Sequence, residues 1–513
     1  MNTEKRLILA VTLSMIVLLS WSAFTSKTQV TGNKDVIDIN NPSAPQVKPE
    51  AKPVEFKTGD VVESAPVKEF TFAQGNFDII FDEKKASILR VTFKKYQDYN
   101  FELYNGLGLN FGNVVFSLDS STAENVTFSA QDNNKRIVKR FIFSNTNYSM
   151  GLEFEYENIS DSVVVIEAPL ILGELDFSKD PEWSRYQDVT IVDTEKEKHL
   201  DGHKDSSSKP IKFMGLRDRY FCLIVQPQEN TSIGFIKKLT PQRTSVELIY
   251  QNISLQPGQK YLQKFDMYLG PQEYKLITNV KPDWSVIMNY GVFNFIGHIL
   301  LQILGLLYSL VHNWGLVIVL LSVIIYFVLY PLSVKQMQSM RKMQLIGPQV
   351  EALKATYKDN PQRLNKEVLE LYKKNKVNPF GGCLPLLLQI PIFFALYQVL
   401  VRAVSLKGSS FLWIKDLSQP DRLFVMPFSL PIIGSDFNIL PILMAVGTLF
   451  QQKLSQVAVS EEAKQQQKIM LIMFPIMMCF IFYKMPSGLV LYWFINSALM
   501  LVNQLQIKSK NEQ

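Results

Sequence analysis

Residues 383–401 read CLPLLLQIPIFFALYQVLV. The run is apolar enough to sit in a hydrocarbon core of about 30 Å, which takes about 20 such residues to cross. It nevertheless carries Pro385 and Pro391, with Gln389 between them. A proline frees a backbone carbonyl, and in lipid that carbonyl must be satisfied by protein or line a wet cavity. A polar amide at membrane depth normally faces a bundle interior or water. The chain around this stretch is therefore a membrane bundle with something polar inside it.

Further apolar runs flank it. They cover Gly315 to Leu332, Asn438 to Gln452, Ile469 to Tyr483 and Gly488 to Leu505. The 438–452 and 469–483 runs are short for a full span, which calls for a locally thinned bilayer or borrowed flanking residues. Lys5 and Arg6 precede another run, Leu7 to Phe24. It lacks a small-x-small cleavage site, so it reads as an uncleaved anchor, a cleaved signal peptide being the competing reading. Residues 284–313 are amphipathic, interrupted by Asn289, Asn294, His298, Gln302 and Ser309, and fit a helix lying at the membrane interface.

Charge separates two compartments. The 513-residue chain has a net charge of +6, but residues 27–283 hold 31 basic and 36 acidic side chains, leaving 22 basic and 11 acidic elsewhere. Residues 333–382 carry ten Lys or Arg against four acidic residues, which places that loop in the cytoplasm. Residues 405–436 are charge-balanced and face outward, and the acidic block lies outside with them. The basic loop reads as two helices broken at KDNPQ, with Met337, Met340 and Met343 as a soft stripe.

Between about Phe70 and Leu276, short runs such as RIVKRFIF and GLEFEYENI alternate with period two and are separated by turn formers. That pattern predicts antiparallel strands in a large sandwich. Residues 27–65, rich in Pro, Lys and Asp, form a linker. The polar block holds only Cys222 of the three cysteines, so no disulfide framework staples it. His199 and His203 stand four apart with no further ligand nearby, and a solvated loop is the better reading. No nucleophile elbow, phosphate loop or zinc signature occurs, so no enzyme chemistry, cofactor or metal is expected.

Polar residues in the spans fall on shared faces: Ser322 with Tyr326, Gln389 with Phe393, and Trp493 with Asn496 and Met500. Helix-packing glue and a hydrated cavity both remain open for them. No Asp or Glu lies within the spans, which argues against a proton relay or cation pump. Met470, Met473, Met477 and Met478 suit either core packing or contact with varied apolar partners.

The stretches NWGLVIVLLSVIIYFVLYPLSVKQMQ, YKKNKVNPFGGCLPLLLQIPIFFALYQVL, FLWIKDLS, LPILMAVGTLFQQKLS and FPIMMCFIFYKMPSGLVLYW, in that order, resemble the YidC membrane protein insertase family over about residues 311–507. The N-terminal anchor and acidic β block are similar to its Gram-negative form. The resemblance implies a polytopic α-helical membrane protein, an anchor plus a five-helix insertase core, with a large all-β periplasmic sandwich domain. It implies residues 1–26 as anchor, 27–65 as linker, 66–283 as the periplasmic domain and 284–313 as the interfacial helix. The core is then 314–507 with a cytoplasmic hairpin at 333–382, followed by a short tail at 508–513, with both termini cytoplasmic.

The implied function is insertion and folding of nascent inner-membrane proteins, alone or with the Sec translocon, through a hydrophilic groove open to cytoplasm and lipid. The alternative is a membrane-anchored carbohydrate-binding or sugar-modifying protein. Expected groove residues are Ser322, Tyr326, Gln389, Trp493 and Asn496. Phe393, Met470, Met473 and Met477 are expected to form a slide for the client's apolar segment. Lys354, Lys358 and Arg363 are the expected loop contacts to ribosome or client. Partners implied are nascent membrane proteins, the Sec translocon with its accessory subunits, the ribosome and lipids, with no specific nucleic-acid sequence. Tyr326 stands where the family usually has an arginine, so attraction of acidic client tails is reduced here.

Overall fold

The computed structural model describes residues 67–110, 114–144, 147–167, 169–178, 184, 186–229, 232–358, 360–375, 384–430, 433–454 and 461–512. The expected anchor and linker lie outside the described residues. The chain forms two compact units, Met1–Asn289 and Tyr290–Gln513.

The first unit is a β sandwich. Strands β1 (Glu69–Gln74), β2 (Phe77–Asp82), β3 (Ser87–Phe93) and β4 (Tyr99–Gly106) make an antiparallel four-stranded sheet in sequence order. A thirteen-stranded sheet follows, drawn from β5 (Gly108–Leu109), β6 (Ser117–Ser121), β7 (Asn125–Gln131), β8 (Lys135–Phe143) and β9 (Ser149–Asn158). After the short β10 (Val164–Ile166) it continues with β11 (Leu170–Asp176), β12 (Asp188–Asp193), β13 (Glu197–Leu200), β14 (Ser206–Arg217) and β15 (Phe221–Pro227). Strands β16 (Ile233–Lys238), β17 (Arg243–Ile249) and β19 (Lys260–Pro271) complete it, while β18 (Ile253–Leu255) pairs with β10.

Alternation decides which face is core. In β9, Met150, Leu152, Phe154 and Tyr156 are buried, while the intervening Glu153, Glu155 and Glu157 are only partly covered. Aromatic rings join the two sheets: Phe72 stacks on Phe143 at 4.5 Å, Phe81 lies 5.0 Å from Phe141, and Phe93 stacks on Phe221 at 4.0 Å. The same alternation turns Lys139 of β8 inward, where it is fully buried. Its Nζ donates to the carbonyls of Ala86 and Leu107, both at positive-φ positions, and faces the Phe141 and Phe154 rings. Burial without a carboxylate partner holds this amine well below the usual lysine range.

A second buried charge permits a pH prediction. The Asp218 carboxylate accepts N–H bonds from Tyr220 and Phe221 at 2.7 Å each and the Tyr99 hydroxyl at 2.9 Å. Burial pushes its pKa up to about 6 against those bonds. The unfolded value is about 4, so the stability this group contributes is fully present below about pH 4 and is lost as pH rises through 6. Asp218→Asn keeps the shape and the acceptor oxygen without the charge. Its melting temperature is expected to exceed that of the parent by a few degrees at pH 7.5, about 1 kcal/mol, with the gap closing by pH 4.5. Thermal melts of both chains across that pH range check it.

The first unit closes with helix α1 (Tyr274–Val280) and a 3₁₀ segment, Pro282–Ile287. Trp284 there is fully buried, and its Nε1 donates to Gln226 at 2.9 Å.

The second unit is helical: α2 (Asn294–Val311), α3 (Trp314–Leu345), α4 (Gly347–Thr356), α5 (Pro361–Lys374), α6 (Leu384–Arg402), α7 (Ile439–Leu454), α8 (Glu461–Phe482) and α9 (Ser487–Glu512). A two-stranded sheet, β20 (Phe424–Leu430) with β21 (Gly434–Phe437), lies between α6 and α7. Helix α2 buries a stripe of Gly297, Leu300, Leu304 and Leu307 and exposes Phe295, Leu306 and Leu310. It ends where His312 turns left-handed, and the Asn313 side chain accepts the Leu316 N–H at 3.0 Å to open α3. Helices α4 and α5 part where Pro361 begins α5, with the Asn360 side chain accepting the Arg363 N–H at 3.1 Å.

Among the described residues, three stretches are long and apolar enough to cross a membrane: Gly291–Val311, Trp314–Lys335 and Ser487–Gln506. Gln389–Arg402, Ile439–Leu454 and Lys468–Phe482 are apolar but shorter.

Candidate groove of the helical core

Helix α9 supplies one wall. Its buried residues include Leu489, Tyr492, Asn496 and Asn503, spaced three, four and seven apart on one stripe. Helix α6 supplies another: Gln389 is buried and Phe393, one turn on, shares its face. The Gln389 amide lies beside the Tyr492 hydroxyl, but that hydroxyl makes no hydrogen bond of ordinary geometry. Asn496 and Asn503 likewise have no side-chain hydrogen bond among the described residues. Three amides are thus covered by the bundle and left with capacity for water.

The remaining expected groove residues sit differently. Ser322 is fully buried, and its hydroxyl donates to the Ile318 carbonyl at 2.7 Å, one turn back on α3. Tyr326 is buried beside Tyr330 at 5.9 Å and Phe327 at 5.7 Å of its own helix. No hydrogen bond joins either residue to Gln389 or Asn496 among the described residues. Trp493 stands edge-on to Phe393 at 5.3 Å, and Phe482 closes a triangle at 5.4 and 5.8 Å. An expected groove residue and an expected slide residue therefore touch, at a junction of α6, α8 and α9.

On α8, Met470 and Met473 are exposed together with Ile476 and Phe480, Met477 is half-buried and Met478 is buried. The methionine cluster thus divides into an outward face and a packed one. Lys358 and Arg363 are exposed at the junction of α4 and α5, with Arg363 over the Tyr357 ring at 4.9 Å, and Lys354 is partly covered.

Several polar residues of the core escaped the sequence reading. Thr448 is buried with its hydroxyl on the Met444 carbonyl, and Gln451 donates to the Met500 sulfur at 3.1 Å, tying α7 to α9. Ser497 and Asn503 are also buried. The seven-residue spacing from Asn496 was the available signal for Asn503.

One end of the bundle is closed by hydrogen bonds. Asp421 Oδ2 accepts the backbone N–H groups of Ile439 and Leu440 at 3.0 Å, capping α7. Asn438 Nδ2 donates to the Tyr483 carbonyl at 2.7 Å, and the Tyr483 hydroxyl donates to the Asp436 carbonyl at 2.9 Å. Ser487 and Gly488 at the start of α9 donate to the carbonyls of Gln419 and Leu417. Gly315 leaves room for the Phe411 ring against the start of α3, where any side chain would collide. Segment 411–438 thereby fastens the same ends of α3, α7, α8 and α9.

Residues 306–513 match the family described as 60Kd inner membrane protein, and residues 71–303 match the YidC periplasmic domain. A membrane protein insertase YidC from Syntrophobacter fumaroxidans is 33% identical over 380 residues, 72% of this chain and 68% of the relative. One from Geobacter metallireducens is 27% identical over 544 residues, 98% of each chain. A crystal structure of an active YidC insertase with its first transmembrane domain resolved covers 86% of this chain and 93% of its own, at 20% identity and a TM-score of 0.40. The β block, matched as a part of that family, is not a separate sugar-modifying protein. The chain belongs to the YidC family of inner-membrane protein insertases, which act on nascent membrane proteins and are not enzymes.

Proposed function

We propose that Gln389, Tyr492, Asn496 and Asn503 line a hydrated groove that takes the polar tail of a client while its apolar segment passes along α6 and α8. The supporting observation is that Asn496 and Asn503 are buried with no side-chain hydrogen bond among the described residues and that Gln389 faces the Tyr492 hydroxyl without a bond of ordinary geometry, since a buried polar group left unpaired costs about 1–3 kcal/mol and water relieves it. Carrying a polar tail through hydrocarbon costs several kcal/mol per unsatisfied backbone group. A wet groove reaching partway shortens that barrier, and partition of the client's apolar segment into lipid drives the step. Ser322, already bonded to its own helix, contributes shape more than polarity. Tyr326 supplies a ring and a hydroxyl where an arginine would attract acidic tails.

In this reading the loop at 333–382 and both termini are cytoplasmic, the 411–438 end is outside, and residues 284–313 lie along the outer interface. The sequence divides into anchor 1–26, linker 27–65, β domain 66–283 and core 314–507. The Sec translocon, the ribosome and membrane lipids are its partners, with Lys354, Lys358 and Arg363 as the ribosome contact.

Stalled ribosome–nascent-chain complexes with a photoreactive residue in the client's apolar segment test both halves. Crosslinks mapped by mass spectrometry are expected at Met473 and Phe393 and not at buried Met478. Binding of the complexes is expected to weaken several-fold when the three basic residues are neutralised, as loss of exposed charges predicts. Equal crosslinking at all three positions defeats the slide, and unchanged binding defeats the loop assignment.

A further inference from the structure

The sheet β20–β21 is not explained by the groove. It joins the end of α6 to the start of α7 and pairs Phe424 with Phe437, Val425 with Asp436, and Leu430 with Gly434. Between the last two pairs the β20 side is several residues longer, so residues 426–429 are pushed off the ladder. Pro427 in that bulge has no N–H to offer a partner strand.

Its surface is apolar without a core beneath it. Phe424 is 51% exposed, Val425 64% and Phe428 59%. Across residues 423–437, Asp436 is the only charged residue, and Arg422 neutralises it at 2.6 Å at the base of the sheet. A two-stranded sheet alone is marginal in water. This one has a rigid base, held by Asp421, Asn438 and Tyr483, and an apolar far part that no described residue covers.

We propose that β20–β21 is a lipid anchor, seated at the boundary between headgroups and acyl chains. Continuity selects the occupant. Strand β21 runs into the apolar helix α7, with Phe437 two residues before its start, and β20 begins three residues after Asp421, which caps that same helix. The base of the sheet therefore lies at the level where spans end. The open edges of the sheet need water or headgroups for their backbone groups, which excludes the hydrocarbon centre. Exposed phenylalanines and the near absence of charge exclude bulk water as the preferred setting, and an apolar face carrying Phe beds into the boundary between headgroups and acyl chains. The anchor holds the closed end of the bundle at a fixed depth, so that the groove has a constant distance to cross.

Nitroxide labels report depth through relative accessibility to oxygen and to a water-soluble nickel chelate. The full chain with its three cysteines replaced by alanine would carry one label, at Phe428→Cys or Val425→Cys, in nanodiscs of phosphatidylethanolamine and phosphatidylglycerol. Val163→Cys on the β domain is the aqueous reference and Phe327→Cys on α3 the hydrocarbon reference, both exposed in the fold. The oxygen-to-nickel ratio at Phe428 and Val425 is expected to lie between the references, roughly threefold above Val163. A ratio equal to that at Val163 overturns the proposal. So does protection from both reagents, with or without dipolar broadening between labels, because it shows a protein or a second copy covering the sheet. Retained insertion activity in each labelled chain shows that the fold survives.

Discussion

Replacing Gln389 and Asn496 together by leucine is expected to lower insertion of a client with a charged outer tail about tenfold, and of one with a neutral tail about twofold. The physical reason is local. Both side chains are buried in the bundle, on α6 and α9, without hydrogen-bond partners of ordinary geometry. Leucine matches their bulk but holds no water. Each lost polar contact costs a transferring charged group about 0.7 kcal/mol, so the pair costs about 1.4 kcal/mol, a factor of ten in rate. A neutral tail carries less hydration through the groove and feels less of the change. Ser322→Ala is the internal control: its hydroxyl is already bonded to Ile318, so removing it should alter neither rate more than twofold. Reconstituted vesicles with two clients differing only in tail charge give the comparison. Equal losses for both clients would refute a polar groove and leave the amides as packing residues.

Much of this arrangement can be read from residue order, for definable reasons. Strand alternation such as GLEFEYEN in β9 reports a half-buried surface directly, because the side-chain period of a strand is two. Runs such as Gly315 to Leu332 report lipid because length and apolarity together leave few alternatives. Gln389 and Asn496 were legible as polar residues at membrane depth. Which of the polar residues are satisfied was not. Ser322 and Thr448 bond their own helices, whereas Asn496 does not, and that depends on backbone reach one turn back rather than on residue type. The division of Met473 from Met478 was also hidden, since both belong to one apolar run and only packing decides which faces outward. Lys139 shows the opposite case. The alternation of β8 already places it inward, but the carbonyls of Ala86 and Leu107 that hold it lie in turns far along the chain.

The second large effect concerns Arg217, whose partners are equally remote in sequence. It stands directly opposite Asp188 in the pairing of β12 with β14, and its Nε donates to Asp188 at 2.5 Å with the guanidinium almost wholly buried. Its other nitrogens donate to the carbonyls of Ile287 at 2.7 Å and Asn289 at 3.1 Å. One side chain thus joins a sheet ion pair to the last residues of the β unit. Arg217→Met would take the guanidinium charge away from the buried Asp188 carboxylate and one donor away from each of the Ile287 and Asn289 carbonyls. Breaking one side of a buried pair costs about 3–5 kcal/mol, which corresponds to a fall of roughly 10 °C in the melting temperature of a unit this size. Arg217→Met with Asp188→Asn removes the charge that has lost its counter-ion and should recover about half of that fall, the tie from the sheet to Ile287 and Asn289 still being lost. Differential scanning fluorimetry of the full chain in detergent measures both, and limited proteolysis near residue 289 reports the loosened exit segment. If the single and double variants melt together, or neither differs from the parent by more than 2 °C, the ion pair is not what fixes this exit.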